Sequence, residues 1–170
     1  RALHLQRSRR QQAGSHEDLI ESLIAQGHLQ KDKVRTAFNE VDRKAFCGGN
    51  DDDDDSAYYD RPYRETMPCG LIIHLSAPSI YAVAADALDL SRGLSFLNVG
   101  SGTGYFSAII ARLIGPHAPH HGVEIREGLV ELSRRLTSAG SSSPSSSPSS
   151  SSASCPPPPP CMQFHHGSIE

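Results

Sequence analysis

No apolar run in this chain approaches the ~20 residues that a membrane-spanning helix needs, and none of the roughly 7–15-residue apolar cores typical of secretory signals follows its basic start. The sequence therefore points to a cytosolic protein without a membrane partner. Strong charge of either sign is also missing: the net charge is -3 and the sequence pI about 6.3. That balance gives no footing for a nucleic-acid backbone or an anionic surface, and Arg1, Arg7, Arg9 and Arg10 are too short and isolated a stretch to reverse it. Cysteine is scarce. Cys47, Cys69, Cys155 and Cys161 contain no CxxC pair and are too irregularly spaced for a disulfide framework. Five prolines separate Cys155 from Cys161, and a polyproline II segment rising ~3.1 Å per residue holds their Cα atoms about 19 Å apart, beyond disulfide reach.

What remains is 170 residues, 37% hydrophobic and 21% charged, enough for one globular domain once low-complexity segments are set aside. Residues 1–14 read as a polar tail. Ser15 with Asp18 three positions on resembles a capping box, and Leu19, Ile20, Leu23 and Ile24 form one apolar face of a helix that Gly27 ends. Val34, Ala37, Phe38 and Val41 mark a second helix. The acidic run Asp51–Asp55 repels itself and lacks the spaced ligands of a calcium loop, so it reads as a solvated insertion. Ser79 to Leu90 has a helical pattern carried by Ile80, Val83, Ala84, Ala87 and Leu88.

Leu94 to Val99 is a nearly continuous apolar run, expected to be a parallel strand covered on both faces. Helix Tyr105–Ile114, strand Gly122–Ile125, helix Glu127–Leu136 and strand Met162–His166 follow, an alternation that argues for βαβ units in an α/β domain over 15–136. Residues 137–160 are almost entirely Ser and Pro, too poor in apolar side chains to offset their ordering entropy, and read as a disordered insertion before a third strand in 161–170. The chain opens on Arg1 and stops at Glu170 directly after that strand, which suggests a fragment whose first strand keeps one unpaired edge.

Chemistry concentrates at Phe96-Leu97-Asn98-Val99-Gly100-Ser101-Gly102-Thr103-Gly104-Tyr105, where a strand runs into three alternating glycines and then a helix. Such a turn lets backbone approach a ligand closely, with the helix N-terminus facing it. A dinucleotide site would want a third glycine three positions after Gly102, where Tyr105 stands; the pattern suits S-adenosylmethionine better. Glu124, 22 residues beyond Gly102 at the end of the second strand, is placed to accept from both ribose hydroxyls. Upstream, Leu71 to Ser76 leads into Ala77-Pro78, a helix start for which Ser76 is either a capping serine or a ligand group. His117, His120, His121, His165 and His166 lack a thiolate or carboxylate at ligand spacing, so no metal site is expected. Cys47 and Cys69 read by default as small buried thiols.

These motifs together resemble the protein-L-isoaspartate (D-aspartate) O-methyltransferases. The resemblance rests on Val41-Asp42-Arg43-Lys44-Ala45-Phe46, Ser76-Ala77-Pro78, Leu97 to Tyr105 and Gly122-Val123-Glu124. It implies a Rossmann-like S-adenosylmethionine-dependent methyltransferase fold, here cut after about the third strand and preceded by an N-terminal helical extension. It also implies methyl transfer from S-adenosylmethionine to isoaspartyl residues of damaged proteins. By resemblance Ser76 is the active-site serine, Gly100, Ser101, Gly102, Thr103 and Gly104 the cofactor turn, Glu124 the ribose acceptor and Ser168 the adenine-side position. The chain departs from the family pattern at His74, usually threonine, at Ser79, usually histidine, at Asn98, usually acidic, and at Ser168, usually aspartate. Ile73-His74-Leu75-Ser76-Ala77-Pro78 and Leu94-Ser95-Phe96-Leu97-Asn98 look closer to the branch of isoaspartate O-methyltransferase domain-containing proteins. That branch implies an alternative role, a recognition module that recruits ubiquitin-ligase components.

Overall fold

The computed structural model describes residues 14–48, 55–139 and 162–168. The polar tail, most of the acidic run, nearly all of the Ser/Pro segment and the Cys155–Cys161 pair lie outside the described residues. Among those described, no helix is long and apolar enough to cross a membrane.

Two helices open the domain. In α1 (His16–Ala25), Ser15 caps the first turn by accepting the Asp18 N–H at 3.1 Å, and Leu19, Ile20 and Leu23 are buried. Helix α2 (Asp32–Asn39) buries Val34, Ala37 and Phe38; Val41 lies beyond its end and is still buried. No side chain of its own caps α2. Asp86, from a later helix, accepts the Gln30 and Lys31 N–H groups at 2.7 and 3.1 Å and supplies the negative charge that a helix start favours.

A hairpin follows that the sequence reading did not contain. Strands β1 (Tyr63–Thr66) and β2 (Ile72–Leu75) pair antiparallel, with Tyr63 opposite Leu75. Only four residues long and largely polar in β1, they carry too little alternation to register as strands. Helix α3 (Pro78–Leu88) starts on Pro78 and ends at Asp89, whose backbone is left-handed (φ 47°). Lys31 and Lys33 both bond its carboxylate, at 2.7 and 2.8 Å, and hold it well below the usual range, at about 2.

The rest is two crossover units: β3 (Phe96–Val99), α4 (Tyr105–Ile114), β4 (His120–Glu124), α5 (Glu127–Ala139) and β5 (Met162–His166), in a parallel sheet of order β3-β4-β5. This is the expected alternation, with β4 starting two residues earlier than its apolar run and α5 continuing through Ala139. Strand β3 lies at the sheet edge.

Two burial expectations are corrected. Strand β3 is covered on one face only: Phe96 and Asn98 face α4, whereas Leu97 is 58% and Val99 51% exposed, because no described element packs on their side. In α3 the buried positions are Pro78, Ala82 and Ala85 rather than the Ile80-Val83-Leu88 face. Small side chains let α3 lie close to α1 and α2, and the larger ones point outward, with Ile80 61% and Val83 51% exposed.

Candidate active site

At the carboxyl end of β3 the chain turns through Gly100, Gly102 and Gly104, all with positive φ (73°, 56° and 88°). Their reasons differ. A Cβ on Gly104 would lie 3.0 Å from Phe164 Cζ and 3.2 Å from Ser133 Cβ, so the turn is wedged against β5 and α5. Over Gly100 nothing stands within 4 Å of that position, leaving room for a ligand. The turn is sewn to β4: Gly100 and Ser101 N–H both donate to Val123 O, at 2.8 and 3.1 Å.

Glu124 ends β4, 7% exposed. Its Oε2 accepts the Gly102 N–H and its Oε1 the Arg126 N–H, each at 3.0 Å, so the carboxylate braces the glycine turn directly. Gly167, just past β5, donates its N–H to Glu124 O at 3.1 Å, which brings exposed Ser168 to the same sheet edge as Gly100 and Glu124. The parallel register is responsible, since Val99 pairs with Val123 and Glu124 with His166.

A cavity of about 60 Å³ opens beneath the turn, walled by Gly100 to Thr103 and by His74, Leu75, Tyr81, Asn98, Tyr105 and Phe106. Ser101 Oγ, Thr103 Oγ1 and Tyr105 Oη are buried there without a hydrogen-bond partner among the described residues. Buried hydroxyls left unpaired beside a cavity are an unusual cost, and they fit a polar ligand fragment bound at the turn. Burial pushes the Tyr105 hydroxyl upward in pKa, so it stays a donor at any working pH. Asn98 donates through Nδ2 to Ser107 Oγ at 3.0 Å, and tethers the end of β3 to α4.

Ser76 follows β2 immediately, half-buried. It is not a helix cap: the N-cap of α3 is Ala77, with no side-chain cap bond, and the Ser79 N–H goes instead to Asp60 Oδ1 at 2.9 Å. Among the described residues no group bonds Ser76 Oγ. The strand carrying it runs beside the turn, with His74 O 3.7 Å from where a Gly102 Cβ would be. Residues 100–104 and Glu124 thus meet directly, Ser76 comes one residue after Leu75 of the cavity wall, and Ser168 one residue after Gly167, whose N–H reaches Glu124 O. Asn98, already noted as a departure from the family pattern, lines the cavity with Tyr81, and Arg43 bonds Ser76 O; neither Arg43 nor Tyr81 carries a sequence signal of its own, Arg43 standing beside Lys44 and Asp42 in the stretch quoted for the family. Of the histidines, His121 Nδ1 and His165 Nε2 meet at 3.0 Å, and no group of three or more metal-ligating side chains gathers among the described residues. Cys47 is buried and Cys69 exposed.

A parallel βαβαβ sheet with a glycine turn after its first strand and an acid ending its second is the architecture of Rossmann-like S-adenosylmethionine-dependent methyltransferases. The family model for protein-L-isoaspartate(D-aspartate) O-methyltransferase matches residues 14–145, and the chain belongs to that family. It is 35% identical over 124 residues to the protein-L-isoaspartate O-methyltransferase of Ignicoccus hospitalis, covering 72% of this chain and 56% of that one. Against the enzyme of Methanothrix thermoacetophila it is 38% identical over 119 residues, covering 70% and 52%. The chain therefore spans about half the length of the curated relatives it matches. Among solved structures, a protein-L-isoaspartate O-methyltransferase superposes with TM-score 0.69 at 22% identity, covering 90% of this chain and 42% of its own. A Plasmodium falciparum protein assigned to the same activity, solved in complex with S-adenosyl-L-homocysteine, gives 0.59 at 23% identity, covering 74% and 56%. These two likenesses establish the fold.

Proposed function

We propose that this chain carries the cofactor side and the substrate serine of a protein-L-isoaspartate O-methyltransferase, acting on isoaspartyl residues of damaged proteins as a cytoplasmic repair enzyme. The observation that carries the reading is the bond from the Gly102 N–H to Glu124, together with a Ser76 hydroxyl that has no partner among the described residues. In this reading residues 100–104 hold the cofactor through backbone, with the orphaned hydroxyls of Ser101 and Thr103 as additional polar contacts. Glu124 takes the ribose hydroxyls, and Ser168 faces the adenine side. S-adenosylmethionine supplies, when bound, a methyl group on a sulfonium that a carboxylate is nucleophilic enough to accept. No general base is called for, since an α-carboxyl with a reference pKa of about 3.5 is ionised at neutral pH. The chain's task is then orientation and exclusion of water, which is worth up to about 7–11 kcal/mol in well-aligned systems. Ser76 Oγ donates to one carboxylate oxygen and so fixes the direction of the other.

The test is methyl transfer from labelled S-adenosylmethionine to an isoaspartyl peptide by the full-length protein, with the aspartyl isomer as control. Base-labile label on the isoaspartyl peptide alone is expected. No label, with the peptide still bound, would instead identify a recognition module and bring ubiquitin-ligase components into consideration as partners.

A further inference from the structure

Arg43 is fully buried and forms no ion pair among the described residues. Its guanidinium is surrounded by backbone carbonyls: Nη1 donates to Ala57 O at 2.6 Å and Tyr59 O at 3.4 Å, Nη2 to Arg61 O and Ser76 O, both at 3.1 Å. A buried cation without a carboxylate is costly; the four carbonyl contacts of Nη1 and Nη2 offset part of that cost, while Nε has no partner among the described residues. One of those bonds ends on Ser76. From the other side, the Ser76 N–H donates to Tyr81 Oη at 3.0 Å. Tyr81 is itself fixed, stacked on Phe106 (centroids 5.3 Å, 28°) and edge-on to Tyr105 (5.4 Å, 79°). Those two residues open α4 directly after the glycine turn, so a short chain of contacts joins Ser76 to the cofactor side.

We propose that Arg43 and Tyr81 are positioning residues that clamp the two peptide units flanking Ser76 and so present its hydroxyl at a set distance from the glycine turn. The inference rests on the reading of Ser76 as the substrate serine. It explains a pattern that stability alone does not: both backbone groups of Ser76 are satisfied by side chains, and among the described residues the Ser76 hydroxyl is left over. Neither residue touches substrate in this scheme; each acts through Ser76.

Tyr81→Phe in the full-length protein tests the clamp, because it deletes one oxygen and keeps the ring in place; Arg43→Lys, which risks misfolding, is the second variant. Losing one neutral hydrogen bond should lower kcat/KM for an isoaspartyl peptide by about fivefold, with S-adenosylhomocysteine affinity held within about twofold. The Ser76 amide should exchange faster with deuterium. In a Ser76→Ala background Tyr81→Phe should have no further effect, since a positioning residue has nothing left to position. The same cycle reads from isoaspartyl-peptide affinity if turnover is absent. Additive losses in the double variant, or an unchanged Ser76 amide, would overturn the clamp while leaving the site reading intact. A Ser76→Ala protein that binds and turns over peptide normally would overturn the site reading, and the clamp with it.

Discussion

The glycine turn at 100–104 and the shoulder at Ser76 lie side by side, yet they are held in place by different kinds of structure. The turn is local. Three glycines take left-handed backbone, the next strand accepts two of its N–H groups, and Glu124 accepts a third from 22 positions away. Ser76 is held by long reach: Arg43, 33 positions upstream, grips its carbonyl, and Tyr81, anchored on α4, its amide. A βαβ unit can build the first arrangement by itself, whereas the second exists only when the N-terminal helices, the hairpin and α4 have all docked. The cofactor side should therefore survive perturbations that disable the substrate side.

The largest break in that symmetry is expected from Arg43→Met. It strands the buried carbonyl of Ala57 and the part-buried carbonyls of Arg61 and Ser76 and should cost about 3–5 kcal/mol of unfolding free energy, read from denaturant midpoints. A loss under about 1 kcal/mol would mean the carbonyls find other partners.

Next in size is an acid-side effect at the amino end of the parallel sheet, away from the turn. His120 in β4 is 1% exposed, edge-on to Phe96 with centroids 5.2 Å apart, and neither ring nitrogen has a partner among the described residues. Burial, with a smaller contribution from neighbouring His121, lowers its pKa to about 4. Above pH 6.5 the ring is neutral folded or unfolded, and stability is unaffected. As pH falls below 6.5 the unfolded chain takes up the proton first, so stability declines until about pH 4, by a total on the order of 3 kcal/mol. His120→Leu should flatten that decline; parallel pH profiles would refute it.

Smaller and more local is the contrast between two glycines of the turn. Gly104→Ala meets Phe164 and Ser133 as well as an unfavourable φ, and should cost about 2 kcal/mol. Gly100→Ala meets only the φ penalty, about 1 kcal/mol, but puts a methyl where the ligand space opens. Thermal melts should rank Gly104→Ala as the less stable, and titration with S-adenosylhomocysteine should show Gly100→Ala binding it more weakly than the unsubstituted protein.

The same division explains what was legible in the sequence. The βαβ alternation, the glycine turn and Glu124 are short-range patterns, and the structure places them where spacing says. The buried sides of β3 and α3 are not legible in the sequence because several large apolar residues there are not the buried ones. In α3 the close-packed face is alanine, and Ile80 and Val83 face out. The β1–β2 hairpin is too short and polar to announce itself. Ser76 was open between a capping serine and a ligand group because capping is local while its clamp is tertiary; only the fold shows Ala77 as the N-cap and Asp60 covering the helix start.

The central claim, that Ser76 serves the substrate and the glycine turn the cofactor, is tested most directly by Ser76→Ala in the full-length protein, with turnover of an isoaspartyl peptide and affinity for S-adenosylhomocysteine measured on the same preparation. A marked fall in turnover with cofactor affinity essentially retained is expected. Equal loss of both, or of neither, would contradict it.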